Sequence, residues 1–211
     1  MTQQQILEKL LNRYPDLNSC KNEVLEAGNM LIDTYKNSGK LLVCGNGGSS
    51  SDADHIVGEL MKSFSKKRPI NSELSEKIQV IDQQRGKLIS SGLEQGVPAI
   101  SLNAHTGLVS AISNDIGGDY VFAQQVVGYG IVGDILLGVS TSGNSQNVID
   151  ACIVAKAKGL KVIGLVGESG GKMKEYCDVA ICVPATKTPE VQEFHLPIYH
   201  ALCIMVEEAL F

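Results

Sequence analysis

The sequence lacks an excess of basic residues. Its 18 lysines and arginines stand against 23 aspartates and glutamates, for a net charge of −5. It therefore has no electrostatic footprint for a nucleic-acid backbone, and no nucleic-acid partner is expected. No apolar run approaches the roughly 20 residues needed to cross a bilayer. The opening Met-Thr-Gln-Gln-Gln-Ile-Leu-Glu has neither the basic nor the apolar region of a secretory signal. The expectation is a cytoplasmic protein without a membrane partner. No Cys-x-x-Cys pair occurs among Cys20, Cys44, Cys152, Cys177, Cys182 and Cys203, which mostly sit inside apolar runs. That pattern predicts free thiols rather than disulfides or a zinc knuckle. Histidine is scarce, with His55, His105, His195 and His200 only. Internal repeats and low-complexity linkers are absent, so residues 1–211 read as one domain.

What is present suits a packed α/β fold. Hydrophobic residues make up 44% and charged residues 19% of the chain, enough to bury a sizeable core. Residues 3–13 and about 19–37 carry helical apolar stripes, giving an N-terminal helical region over 1–38. Leu41–Cys44, Val97–Leu102, Asp134–Val139, Lys161–Val166 and Val179–Val183 read as strands. Several are continuously apolar, as strands buried on both faces are. Helices are predicted over Phe122–Tyr129, Gln146–Lys158, Gly170–Tyr176 and a final segment within 188–211. Strands alternating with helices predict a three-layer αβα sandwich around a parallel sheet of about five strands, flavodoxin-like in class. Residues 65–95, at the heart of the Ser63–Gly96 stretch, differ in texture and read as a helical insertion packed on the body or on a partner subunit. The Lys66-Lys67-Arg68 cluster within it reads as a solvated face.

Two strand ends carry binding chemistry. After the first strand comes Gly45-Asn-Gly-Gly-Ser-Ser50, and after the third comes Ser140-Thr-Ser-Gly-Asn-Ser145. Open parallel sheets bind ligands outside the carboxyl ends of their strands, where hydroxyls and helix-start amides hold an anion without lysine or arginine. The first loop is not a dinucleotide fingerprint, because its third glycine position holds Ser50, and neither loop runs into the Gly-Lys-Ser/Thr of a P-loop. Gly138-Val-Ser-Thr-Ser142 lacks the last glycine of a nucleophile elbow. Beside the first loop, His55 and Glu59 lie four apart on one helical face. His195 and His200 sit on the last helix but cannot share a face, and His195, among Phe194, Leu196 and Ile198, reads as structural.

These residues resemble the sugar isomerase (SIS) domain and, within it, the phosphoheptose isomerases. The resemblance is carried by Cys44-Gly-Asn-Gly-Gly-Ser49, His55-x-x-x-Glu59, Ser113-Asn-Asp115, Gly138-Val-Ser-Thr-Ser-Gly-Asn-Ser145, Gly170-Gly-Lys-Met173 and Val191-Gln-Glu-Phe-His195 with His200. It implies an aldose–ketose isomerase converting D-sedoheptulose 7-phosphate to D-glycero-D-manno-heptose 7-phosphate through an enediolate. It implies Glu59 and His200 as the catalytic pair. Asn46, Gly47, Gly48, Ser49, Asn114, Asp115, Ser140, Thr141, Ser142, Ser145 and Gln192 would contact substrate. His55, Glu59, Gln192 and His200 would hold one divalent metal, of which Zn²⁺ is the best match to such ligands. A homotetramer with sites at subunit contacts is implied as well. The chain departs from the family in the length of Ser63–Gly96. It also places Ser63 where an arginine tends to follow the catalytic glutamate, so that Lys62 or Arg68 stands in or the sugar differs. Two alternatives are a non-catalytic SIS protein that binds a protein partner, of the replication-initiator-associating type, and a phosphosugar-sensing domain.

Overall fold

The computed structural model describes residues 1–211. Five strands form one wholly parallel sheet in the order β2-β1-β3-β4-β5. They are β1 (Leu41–Gly45), β2 (Ala99–Ser101), β3 (Ile135–Ser140), β4 (Lys161–Val166) and β5 (Val179–Cys182). Every residue of β1 and β3 is buried, because helices cover both faces. One face carries α1 (Gln3–Arg13), α2 (Lys21–Lys36), α3 (Gly48–Met61) and α9 (Thr188–Leu210), packed through Leu31, Ile56, Leu137, Ile163 and Leu202. The other carries α6 (Thr106–Asp115), α7 (Val121–Tyr129) and α8 (Gln146–Ala157), packed through Leu42, Phe122, Leu136, Val148 and Val162. The flavodoxin-like three-layer reading is thereby met.

Local departures have local causes. The strand expected over Val97–Leu102 shrinks to Ala99–Ser101 at the sheet's edge, where only one neighbour fixes the backbone. The expected helix over Gly170–Tyr176 is a short 3-10 turn from Lys172, because Gly170 and Gly171 take positive φ values of 74° and 55°. Residues 48–50, expected in the turn, form the first turn of α3. All six cysteines are free, and no helix is long and apolar enough to cross a membrane.

The insertion forms a helical hairpin, α4 (Ser72–Ile81) and α5 (Gln83–Gly92). Asp82 breaks it, ending α4 and capping α5 by accepting from the Arg85 N–H at 2.8 Å. The hairpin does not pack on the body. No α4 side chain is buried, and Val80 and Ile81 are 87% and 86% exposed. Its base is fastened, with Gln95 N–H donating to the Arg68 carbonyl at 2.6 Å and Ser63 N–H to Glu94 at 2.9 Å.

Arg68 corrects the solvated-face reading, for it is 2% exposed. Its guanidinium donates to the carbonyls of Glu59 at 3.0 Å and Leu60 at 3.2 Å, closing the C-terminal turn of α3. Its Nε lies 3.1 Å from Glu207 of α9. Glu207, also 2% exposed, accepts from the backbone N–H groups of Phe64, Ser65 and Lys66 at 2.9, 2.7 and 2.9 Å. Removing one member of a buried pair strands the other's charge and costs about 3–5 kcal/mol. Glu207→Gln is expected to cost an amount in that range in urea unfolding, and Arg68→Met with Glu207→Leu to recover little of it, because the backbone groups of Glu59, Leu60, Phe64, Ser65 and Lys66 lose their partners.

Candidate active site

The sheet order places the binding loops. Chain order reverses between β1 and β3, and in such sheets this switch point is where ligands sit. The helices α3 and α8 both start there, aiming their N-terminal dipole ends at the same crevice. Gly47 caps α3 at φ 57° and ψ −122°, a conformation closed to residues with a Cβ. Asn46 and Asn147 exchange side-chain amide hydrogen bonds at 2.8 and 3.0 Å, joining the two loops across the crevice. Asn103, after β2, accepts from Gly45 N–H at 3.3 Å and donates to its carbonyl at 2.8 Å.

The second loop is equally built. Ser140 and Ser145 share a hydrogen bond at 3.3 Å. Asn144 N–H donates to Ser142 Oγ at 3.1 Å, and Asn144 Oδ1 accepts from Lys172 N–H at 3.1 Å. Gly143 sits at φ 64°, and a Cβ there would lie 2.1 Å from the Gly170 carbonyl oxygen. Thr141 and Ser145 are half-buried and Ser142 is exposed, so the loop is open to solvent. Gln192 reaches the start of α3 from α9, and a Cβ on Gly48 would fall 2.3 Å from its Nε2. Asn114 and Asp115 are exposed at the end of α6 and bond to one another at 2.8 Å. No hydrogen bond of the chain ties them to the loop.

The second cluster lies farther along α3. His55 Nε2 is 3.1 Å from Glu59 Oε1 and 3.5 Å from His200 Nε2. Glu59 and His200, from opposite ends of the chain, thus meet at one imidazole nitrogen. Lys62 Nζ lies 3.1 Å from Glu59 Oε2. Lys62 is therefore the cation beside Glu59, while Arg68 is spent on the helix end and Glu207. Burial, with His55 alongside, lowers the His200 pKa from its ordinary range, and Glu59 partly opposes this. His200 also lines a groove between α1 and α9 with Lys9 and Arg13, cations that no motif pointed to.

The four expected metal ligands do not converge within one chain. Gln192 and His200 are eight residues apart on α9, about 12 Å along the axis. Gln192 lies against Gly48 at the start of α3, whereas His55, Glu59 and His200 form the cluster. No group of three or more His, Cys, Asp or Glu side chains forms a ready metal cage. Sequence reasoning also missed two residues at the cluster. Tyr199 OH lies 3.0 Å from His55 Nδ1 and 3.2 Å from Asp52 Oδ1. The Asp52-x-x-His55 spacing on α3 was the one available signal. Nothing in the sequence pairs Tyr199 with either.

His195 is wholly buried, with neither ring nitrogen hydrogen-bonded. The structural reading holds, and burial lowers its pKa to about 4, an effect the nearby Val166 backbone only partly opposes.

The SIS domain family matches residues 7–95 and 93–167. The chain is 40% identical over 186 residues to the phosphoheptose isomerase of Nitratiruptor sp., covering 88% of this chain and 86% of the relative. It is 39% identical over 206 residues to phosphoheptose isomerase 2 of Campylobacter jejuni, covering 98% and 88%. Among solved structures, phosphoheptose isomerase GmhA from Neisseria gonorrhoeae is 32% identical, with a TM-score of 0.72 over 98% of this chain and 91% of that one. A phosphoheptose isomerase from Francisella tularensis superposes with a TM-score of 0.76 at 28% identity, covering 99% and 100%.

Two predictions arise from this geometry. Gly48→Ala is compatible with the helical backbone but displaces the Gln192 side chain. Isomerase assays on a ketose phosphate should show weaker substrate use, while the melting temperature changes little. The second concerns His195, whose folded pKa lies below that of the unfolded chain. The neutral ring's contribution is complete above about pH 6.5 and is lost as pH falls toward 4. Unfolding measured across that window should show a drop in stability that His195→Leu reduces.

Proposed function

The chain belongs to the phosphoheptose isomerases of the SIS-domain family, and on that premise we propose how it acts. Its substrate pair is sedoheptulose 7-phosphate and D-glycero-D-manno-heptose 7-phosphate. The observation that carries the reading is the meeting of Glu59 and His200 at His55, in a protein whose switch point offers a phosphate-suited cradle. Thr141, Ser142 and Ser145, with the starts of α3 and α8, hold the phosphate. Glu59 removes a proton from C1 of the ketose, leaving an enediolate, and the proton returns at C2 to give the aldose. His200 moves the hydroxyl proton between O1 and O2, since an imidazole can serve as either acid or base. Anchoring the remote phosphate holds the reacting carbons against the base, converting binding into rate.

The substrate's length bears on assembly. Eleven residues of α3 separate Gly48 from Glu59, about 16 Å along the axis. An extended seven-carbon phosphate spans roughly 10 Å from phosphorus to C1. The proposed site therefore pairs the cradle of one copy with the Glu59–His200 cluster of another, which calls for an oligomer such as a tetramer. His55, Glu59 and His200, with imidazole and carboxylate donors, are the residues that would hold a divalent cation there. A Zn²⁺ held there would polarise the carbonyl oxygen and stabilise the charge developing on it.

Glu59→Gln is expected to retain phosphosugar binding and to lower turnover on the order of 10²–10⁴-fold. The test is a panel of five- to seven-carbon ketose phosphates, with NMR of solvent-deuterium incorporation at the carbon next to the carbonyl. Undiminished turnover in Glu59→Gln would remove it as the base. Assembling Glu59→Gln with a cradle variant, Thr141→Val with Ser142→Ala, should restore activity that neither has alone. Absence of recovery would place cradle and cluster in one chain.

A further inference from the structure

A hydrogen-bonded chain runs behind the cluster from Asp52 through Tyr199 to His55. Tyr199 OH has a single proton and two neighbours, Asp52 Oδ1 at 3.2 Å and His55 Nδ1 at 3.0 Å. Asp52 has the stronger claim on that proton. Its other oxygen, Oδ2, is buried without any hydrogen-bond partner, so losing Tyr199 would leave the carboxylate with no donor from this chain. Once Tyr199 donates to Asp52, its oxygen can only accept, and the imidazole must supply the proton from Nδ1. Glu59 Oε1, 3.1 Å from Nε2, competes for the ring proton, while Lys62 stands 3.1 Å from its Oε2. Tyr199 cannot turn away, being 1% exposed and packed edge-on against both His55 and His200.

We propose that Asp52 and Tyr199 are positioning residues that hold neutral His55 as its Nδ1–H tautomer, leaving the Nε2 lone pair facing Glu59 and His200. In that state Nε2 is ready for a cation, and in its absence accepts from His200 Nε2–H at 3.5 Å. A ligand imidazole is oriented in this way when its second nitrogen donates to an outer oxygen. The inference deepens the isomerase reading and rests on it for the use made of His55. The tautomer itself is independent of that reading.

The test is long-range ¹H–¹⁵N correlation on metal-free protein at pH 9, above the ordinary imidazole range, with His55 assigned from His55→Gln. Wild type should show a protonated Nδ1 and a bare Nε2. Tyr199→Phe removes the acceptor for Nδ1–H, and the proton should move to Nε2, facing Glu59. Asp52→Ala frees the Tyr199 proton for Nδ1 and should move the tautomer the same way, so either variant suffices if the other fails to fold by melting curve. Calorimetric Zn²⁺ titration should show affinity falling about 10–100-fold in both. A wild-type ring protonated at Nε2, or a tautomer unmoved by Tyr199→Phe, would overturn the proposal. The predicted tautomer and its reversal in a wild type inert toward ketose phosphates would uphold the positioning role and remove the isomerase reading alone.

Discussion

The buried Arg68–Glu207 pair is the constraint that joins the end of α3, and with it Glu59, to α9 and His200. Neither charge has water to fall back on. Both must be satisfied by the backbone, and each takes groups from a different part of the chain. Arg68 draws the last carbonyls of α3 to itself, and Glu207 draws three amides of the following segment. The end of α3 is thereby clamped to α9 two turns beyond His200. A buried ion pair is a poor source of net stability against an apolar substitute, but it tolerates few alternative geometries. Its effect here is to fix how Glu59 and His200 face one another.

The same clamp explains how the insertion can be long without disturbing the site. The hairpin α4–α5 leaves the body through residues already pinned by Glu207 and Glu94. Extra residues beyond that base add only a small loop-closure cost. The hairpin's apolar residues Val80 and Ile81 remain exposed within one chain, so of the two positions expected for it the one on the body is not taken. The other rigid element is α3 itself. Its N-terminus opens at the sheet's switch point and its C-terminal half carries His55 and Glu59.

Much of this was legible beforehand because it is local. Apolar runs bounded by glycine marked β1, β3 and β4, and their continuity already meant burial on both faces. His55 and Glu59 four apart must share a helical face in any fold. Glycine-rich and serine-rich loops at strand ends announce an anion site through backbone geometry alone. The errors were local as well. Paired glycines at 170 and 171 broke a helix that composition favoured. Lys66-Lys67-Arg68 looked like one solvated patch because a sequence does not say which cation of three will turn inward.

By itself, then, the sequence determined the parallel α/β architecture, the two glycine- and serine-rich loops at strand ends and the shared helical face of His55 and Glu59, since each depends on spacing or periodicity within a few turns of chain. Only the tertiary structure decided which of those residues meet. Gln192 sits at the start of α3 and away from His200. Arg68 serves a helix end, and Lys62 stands beside Glu59. Tyr199 and Asp52 bond to one another although 147 positions separate them. Contacts of that kind follow from how α3 and α9 pack across one sheet face, and packing is a property of surfaces brought together that no local spacing encodes.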